Sequence, residues 1–210
     1  MTSSLVTLAT IGFVQLLAVI SPGPSFLITA RTAVARSRTA GMRVALGLGA
    51  GTVIWSAAAL LGLNLLFREF HWLFMAMKIG GALFLIWIAV QIFRHAAHPI
   101  DMDLRKSNGG ERDPFIQGFF TQISNPKVAV FFGSIFIAML PRDVAPWMII
   151  ALIMIVTFNE IAWYSCVALF FGSQPVRRAY LIAKRWIDRT TGLFLGALGA
   201  RLIWHAGDAA

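Results

Sequence analysis

Residues 2–30 carry no charged side chain, and neither do 44–67, 79–93 or 114–126. A bilayer core is crossed by roughly 20 predominantly apolar residues in a helix. Uninterrupted stretches of this length read as membrane spans rather than as core helices of a soluble domain. Only 13% of the 210 residues are charged, against about 25% in ordinary soluble chains. Apolar segments over about 5–29, 44–66, 71–93, 115–140, 146–171 and 189–206 predict an all-α integral membrane protein of about six transmembrane helices. The last is the shortest and contains Arg201. One transmembrane domain covers 1–210, with a first half over about 5–93, a connecting loop over about 94–114 and a second half over about 115–206. The first apolar stretch lacks the basic n-region of a signal peptide and is expected to be a retained helix. A single cysteine, Cys166, provides no disulfide framework, and no His/Cys spacing points to a metal.

The net charge of +9 does not mark a nucleic-acid surface, because the basic residues are segregated by loop. Arg31, Arg36, Arg38 and Arg43 follow the first span; Arg94, Arg105, Lys106 and Arg112 follow the third; Arg177, Arg178, Lys184, Arg185 and Arg189 follow the fifth. The opposite loops hold only Arg68 and Arg142. The positive-inside rule then places the basic loops in the cytoplasm and both termini on the opposite side of the membrane. The expected charged partner is anionic lipid. The stretch 176–187 sets Val176, Ala179, Tyr180, Ala183, Trp186 and Ile187 against Arg177, Arg178, Lys184 and Arg185, the pattern of an interfacial amphipathic helix.

Two spans are broken by proline at related places. The first contains Ser21-Pro22-Gly23-Pro24-Ser25 and the fourth Asn125-Pro126-Lys127, with Pro22 and Pro126 104 residues apart. Shifting 44–66 by the same interval lays it on the fifth span. Three helices followed by three similar helices are inserted in opposite senses, so the two halves form inverted repeats, an architecture that places a substrate site at the midplane beside interrupted helices. Proline removes a backbone donor and clashes with the carbonyl four residues earlier, and in hydrocarbon a freed carbonyl must find a partner or line a wet cavity. The first break offers carbonyls, the hydroxyls of Ser21 and Ser25, and the positive end of a half-helix, which suits a carboxylate. Asn125 and Lys127 supply the mirrored set. The plainer alternative is a pair of packing kinks.

Lys127 and Glu160 fall near the centres of the fourth and fifth spans, where a lone charge costs about 2.5–3.5 kcal/mol on insertion scales. Either they face a wet cavity, or they pair, or Glu160 carries a proton and exchanges it as the cavity changes sides. Asn159, beside Glu160, is a further hydrogen-bonding candidate, and Lys78 in the third span is a site candidate that can also snorkel. Gly47/Gly51 and Gly192/Gly196 are small-xxx-small pairs for close helix contact, within the bundle or between protomers of a homo-oligomer. No Gly-x-Ser-x-Gly elbow is present, and the four histidines lie at helix ends or in loops. A membrane enzyme acting on lipid or peptide predicts a catalytic acid/base or metal cluster at one interface, which the sequence does not offer, and a non-catalytic subunit of a complex would need neither midplane ions nor paired breaks.

Four stretches carry a family resemblance: Ser21-Pro22-Gly23-Pro24; Lys78-Ile79-Gly80-Gly81 through Trp87; Asn125-Pro126-Lys127 with Phe131-Phe132; and Gly192 through Gly199. Together they resemble the lysine exporter (LysE/RhtB) family of bacterial amino-acid exporters. The resemblance implies proton-driven efflux of an amino acid or derivative across the inner membrane, without a cofactor. It does not fix the substrate. The proton-coupling role of Glu160 rests on the burial argument alone.

Overall fold

The computed structural model describes residues 2–69, 71–96, 112–140 and 144–207. Most of the connecting loop, including Arg105 and Lys106, and Arg142 lie outside the described residues, as do the side chains of Lys78, Pro126 and Arg201. All regular structure within them is helical: α1 (Thr2–Ile20), α2 (Pro24–Ala35), α3 (Arg38–Glu69), α4 (His71–His95), α5 (Pro114–Ile123), α6 (Pro126–Met139), α7 (Pro146–Phe170) and α8 (Gln174–Gly207). Residues 38–62 of α3 and the whole of α7 are each long and apolar enough to cross a bilayer, and α1 with α2 passes as one span bent by 57°.

Both expected breaks are present. α1 ends at Ile20 and α2 starts at Pro24; α5 ends at Ile123 and α6 starts at Pro126. Proline suits the first position of a helix because that N–H has no intrahelical acceptor. α5 also starts on a proline, after Asp113, whose carboxylate accepts from Phe115 N at 2.8 Å and is bridged by Arg43. Asn125 caps α6 by accepting from Lys127 N at 3.1 Å.

α7 shows how such a chain sorts its side chains. Met148, Leu152, Val156, Glu160, Tyr164 and Val167 recur every three or four residues and are buried, the spacing of one helix face. Ile150, Met154 and Phe158 point outward, Phe158 being 71% exposed. Both faces are apolar, and the one carboxylate lies on the inward face. This is the distribution expected when the surroundings are hydrocarbon.

Glycines set the closest approaches. A Cβ at Gly47 of α3 would overlap the Phe115 carbonyl of α5, and one at Gly118 would overlap the Val44 carbonyl in return. A Cβ at Gly192 of α8 would come within 2.8 Å of the Ala89 carbonyl of α4. The two small-residue pairs therefore serve contacts inside this chain.

α8 departs from expectation. A separate amphipathic helix over 176–187 and a span from 189 are instead one unbroken helix. Neither proline nor glycine occurs between Val176 and Thr191, and Lys184 and Asp188 bridge the would-be junction as an i,i+4 ion pair at 2.8 Å. Lys184 is buried rather than on a solvated face.

Candidate functional site

In a regular helix the carbonyl of residue i accepts from the N–H of residue i+4. Pro22, Pro24 and Pro126 have no N–H, so the carbonyls of Ala18, Ile20 and Gln122 lose their helical donors. Each is met by a side chain from another helix. Lys127 Nζ donates to Ala18 O at 3.0 Å and to Ser21 O at 3.3 Å. The Tyr180 hydroxyl donates to Ile20 O at 2.9 Å. Trp55 Nε1 donates to Gln122 O at 3.3 Å, which Asn125 N also reaches at 3.2 Å. The carbonyls expected to await a ligand are thus occupied in this conformation. The first turn of α2 is different: its N-cap, Gly23, has no side chain to cap it.

The two breaks face one another. Asn125 Nδ2 donates to Ser25 Oγ at 3.2 Å, and Ser25 Oγ donates to Gln122 Oε1 at 2.8 Å. Gln122 Nε2 donates to Glu160 Oε1 at 2.7 Å and to Thr52 Oγ1 at 2.8 Å. The other carboxylate oxygen, Oε2, accepts from Gln15 Nε2 at 3.1 Å. Asn159 stands one step back, donating to Gln15 Oε1 at 2.9 Å and to Gly12 O at 3.0 Å. A buried polar group is costly unless hydrogen-bonded, and here both oxygens of Glu160 are held by amides. Ser21 Oγ donates to Asp188 Oδ1 at 3.0 Å.

These groups surround a cavity of about 40 Å³ lined by Gln15, Ser21, Gly23, Ser25, Asn125, Lys127 and Glu160. Ala18, Val19, Val128, Phe131, Phe132 and Tyr164 form the apolar remainder. A water needs about 10–15 Å³ on this measure, so the space holds a few waters and is too small for a whole amino acid. Lys127 and Glu160 share the wall without forming an ion pair. Lys127 holds carbonyls of the first break, while Glu160 rests on Gln15 and Gln122. Of the sequence candidates, Ser21, Gly23, Ser25, Asn125, Lys127 and Glu160 meet at the cavity. Pro22, Pro24 and Pro126 act through the breaks they cause, and Asn159 orients Gln15.

The residues that sequence reasoning missed are mostly uncharged. Gln15 and Gln122 are each buried within an apolar segment, and a bilayer-embedded amide requires partners as a charge does. Gln122 lies three residues before Asn125, one helical turn into the break. Asp188 and Lys184 carry the i,i+4 signal of an ion pair, but the amphipathic pattern sets Lys184 on the basic face and leaves Asp188 unassigned.

The profile of the LysE type translocator family matches residues 16–206. The chain is 35% identical over 207 residues to the threonine efflux protein of Salmonella typhimurium, covering 92% of this chain and 96% of that one. Its identity to the threonine efflux protein of Escherichia coli K12 is 35% over 204 residues, with the same coverage. An uncharacterized membrane protein of the same organism, YahN, is 28% identical over 186 residues, covering 88% of this chain and 83% of that one. No solved structure matches the chain. With a profile match running through both helix breaks and nearly full-length relatives, the chain belongs to the LysE type translocator family.

Proposed function

We infer that the protein is a secondary active transporter that exports an amino acid with a small uncharged side chain, in exchange for protons, across the bacterial inner membrane. The observation that carries this reading is the cavity where the α1/α2 and α5/α6 breaks meet, with one cation and one carboxylate in its wall. An amino acid is a zwitterion and needs one group of each sign. An ammonium has three donors; two of Lys127 hold carbonyls, which leaves one for the substrate carboxylate, beside the uncapped start of α2. Glu160 is the counter-group for the substrate ammonium or for the exchanged proton. With both charges so used, the rest of the lining is hydroxyl, amide and hydrocarbon, which fits the threonine named for the relatives better than a basic side chain. Nothing in this arrangement resembles covalent chemistry, so the protein is read as a carrier rather than an enzyme.

In this reading α1+α2 and α5+α6 are each one bent span, and with α3, α4, α7 and α8 they form six spans in two inverted repeats. The basic loops after α2 and before α8 lie in the cytoplasm, and both termini in the periplasm. The cavity, at about 40 Å³, must widen to admit substrate.

The test uses proteoliposomes loaded with radiolabelled threonine and a panel of other amino acids. Efflux should rise when a pH gradient is imposed; no stimulation for any of them overturns the reading. Glu160→Gln should keep the fold and lose the stimulation. Unchanged pH dependence with earlier unfolding would make Glu160 structural instead.

A further inference from the structure

α8 carries Tyr180, Lys184, Asp188 and Thr191 at intervals of four, four and three residues, the spacing of one helix face. All four are buried, and each makes a polar contact outside α8. Tyr180 donates to Ile20 O at 2.9 Å, Ser21 Oγ donates to Asp188 Oδ1 at 3.0 Å, and Thr191 Oγ1 donates to Leu17 O at 3.5 Å. Lys184 Nζ reaches Ala96 O, just past α4, at 3.3 Å, and pairs with Asp188 Oδ2 at 2.8 Å. Three of the four contacts fall on residues 17–21, the last turn of α1 and the first residue of the break.

A buried ion pair stabilises a fold poorly compared with apolar groups of the same size. Its presence in the seam between α1 and α8 calls for another role. A polar seam can part into water without exposing much hydrocarbon, and its groups are then solvated rather than stranded. Ser21 also belongs to both sides of the problem: its hydroxyl is held by Asp188 and its carbonyl by Lys127 across the cavity. A ligand that draws Lys127 off the Ser21 carbonyl therefore loosens the residue that the seam grips.

We propose that the Tyr180, Lys184, Asp188 and Thr191 stripe is the cytoplasmic gate of the cavity, a latch that holds the last turn of α1 to α8 when closed and releases it when the cavity opens inward. Asp188 is its positioning residue, fixing Ser21. The proposal rests on the transporter reading and on the topology given above.

The experiment measures thiol accessibility and uses no substrate. In the full chain with Cys166→Ser, Val128→Cys places one reporter in the cavity wall. A membrane-impermeant thiol reagent is applied to right-side-out and inside-out vesicles. Asp188→Ala should raise the labelling rate from the cytoplasmic face about 5- to 30-fold, the population shift that follows loss of a buried hydrogen bond to a charged group. It should not raise the rate from the periplasmic face. Asp188→Asn, which keeps an acceptor for Ser21 but loses the charge opposite Lys184, should fall between. Should Asp188→Ala fail to reach the membrane, Tyr180→Phe carries the same one-sided expectation. Unchanged labelling, or an equal rise from both faces, overturns the gate. Efflux with unchanged labelling defeats the gate alone; one-sided labelling without efflux of any amino acid defeats the transporter reading alone.

Discussion

Replacing Lys127 by Met removes the ammonium and keeps the length of the side chain. Two hydrogen bonds are lost, to Ala18 O at 3.0 Å and to Ser21 O at 3.3 Å. The second is the longer and the weaker of the two. The first leaves the Ala18 carbonyl without a donor, a loss of about 1–3 kcal/mol. Against this, a part-buried ammonium no longer has to be desolvated, which offsets a similar amount. The two effects oppose each other, so the thermal midpoint in detergent should move little. Substrate binding has no such offset. A charge-assisted hydrogen bond to the substrate carboxylate contributes about 1.5–3 kcal/mol, and its loss should raise the half-saturation concentration for the amino acid that the proteoliposomes export about 10- to 150-fold. The measurement is concentration-dependent efflux from proteoliposomes beside a melting curve of the same preparation. Unchanged half-saturation in a folded Lys127→Met protein would refute the assignment of the carboxylate to Lys127, and a lower midpoint with unaltered transport would make the lysine purely a cap for the first break.

Three further outcomes follow from the geometry. Gly23→Ala should leave the thermal midpoint unchanged, since Gly23 has extended backbone and a Cβ there meets nothing within 4 Å, yet weaken substrate binding because the methyl group enters the cavity. Gly118→Ala should lower stability by about 1–3 kcal/mol or more, as its Cβ overlaps the backbone of α3 rather than a yielding side chain; melting of the purified protein reads this out. Tyr180→Phe should lower stability by about 1–3 kcal/mol and Trp55→Phe by less, because Ile20 O then has no donor whereas Gln122 O keeps Asn125 N.

The breaks were legible because proline leaves a local signature: Ser21-Pro22-Gly23-Pro24 and Asn125-Pro126 each stand where a helix ends or begins. The apolar runs of α3 and α7 were legible for a similar reason, since hydrocarbon thickness imposes a run length on the sequence. The partners of Lys127 were not legible. A lysine and a glutamate in adjacent spans invite pairing, but which groups meet depends on helix rotation and crossing, and the freed Ala18 carbonyl won the ammonium. Gln15 and Gln122 escaped notice because amides do not register in a charge-based reading, although burial obliges them to find partners. The continuity of α8 was hidden by its switch from basic to apolar composition, which resembles a junction while containing no residue that stops a helix.

The donors that complete the two breaks also bear on how the chain is assembled. Ala18 and Ile20 leave the ribosome well before the lysine and tyrosine that satisfy their carbonyls, which are at positions 127 and 180. Until those segments are made, the nascent first span has no protein donor for its interrupted backbone and must keep that end near water or lipid headgroups. The amino-terminal half is therefore not a self-sufficient folding unit. Its final seating in the membrane waits for α8 to be synthesised, which makes loss of α8 as damaging to the first span as a mutation within it.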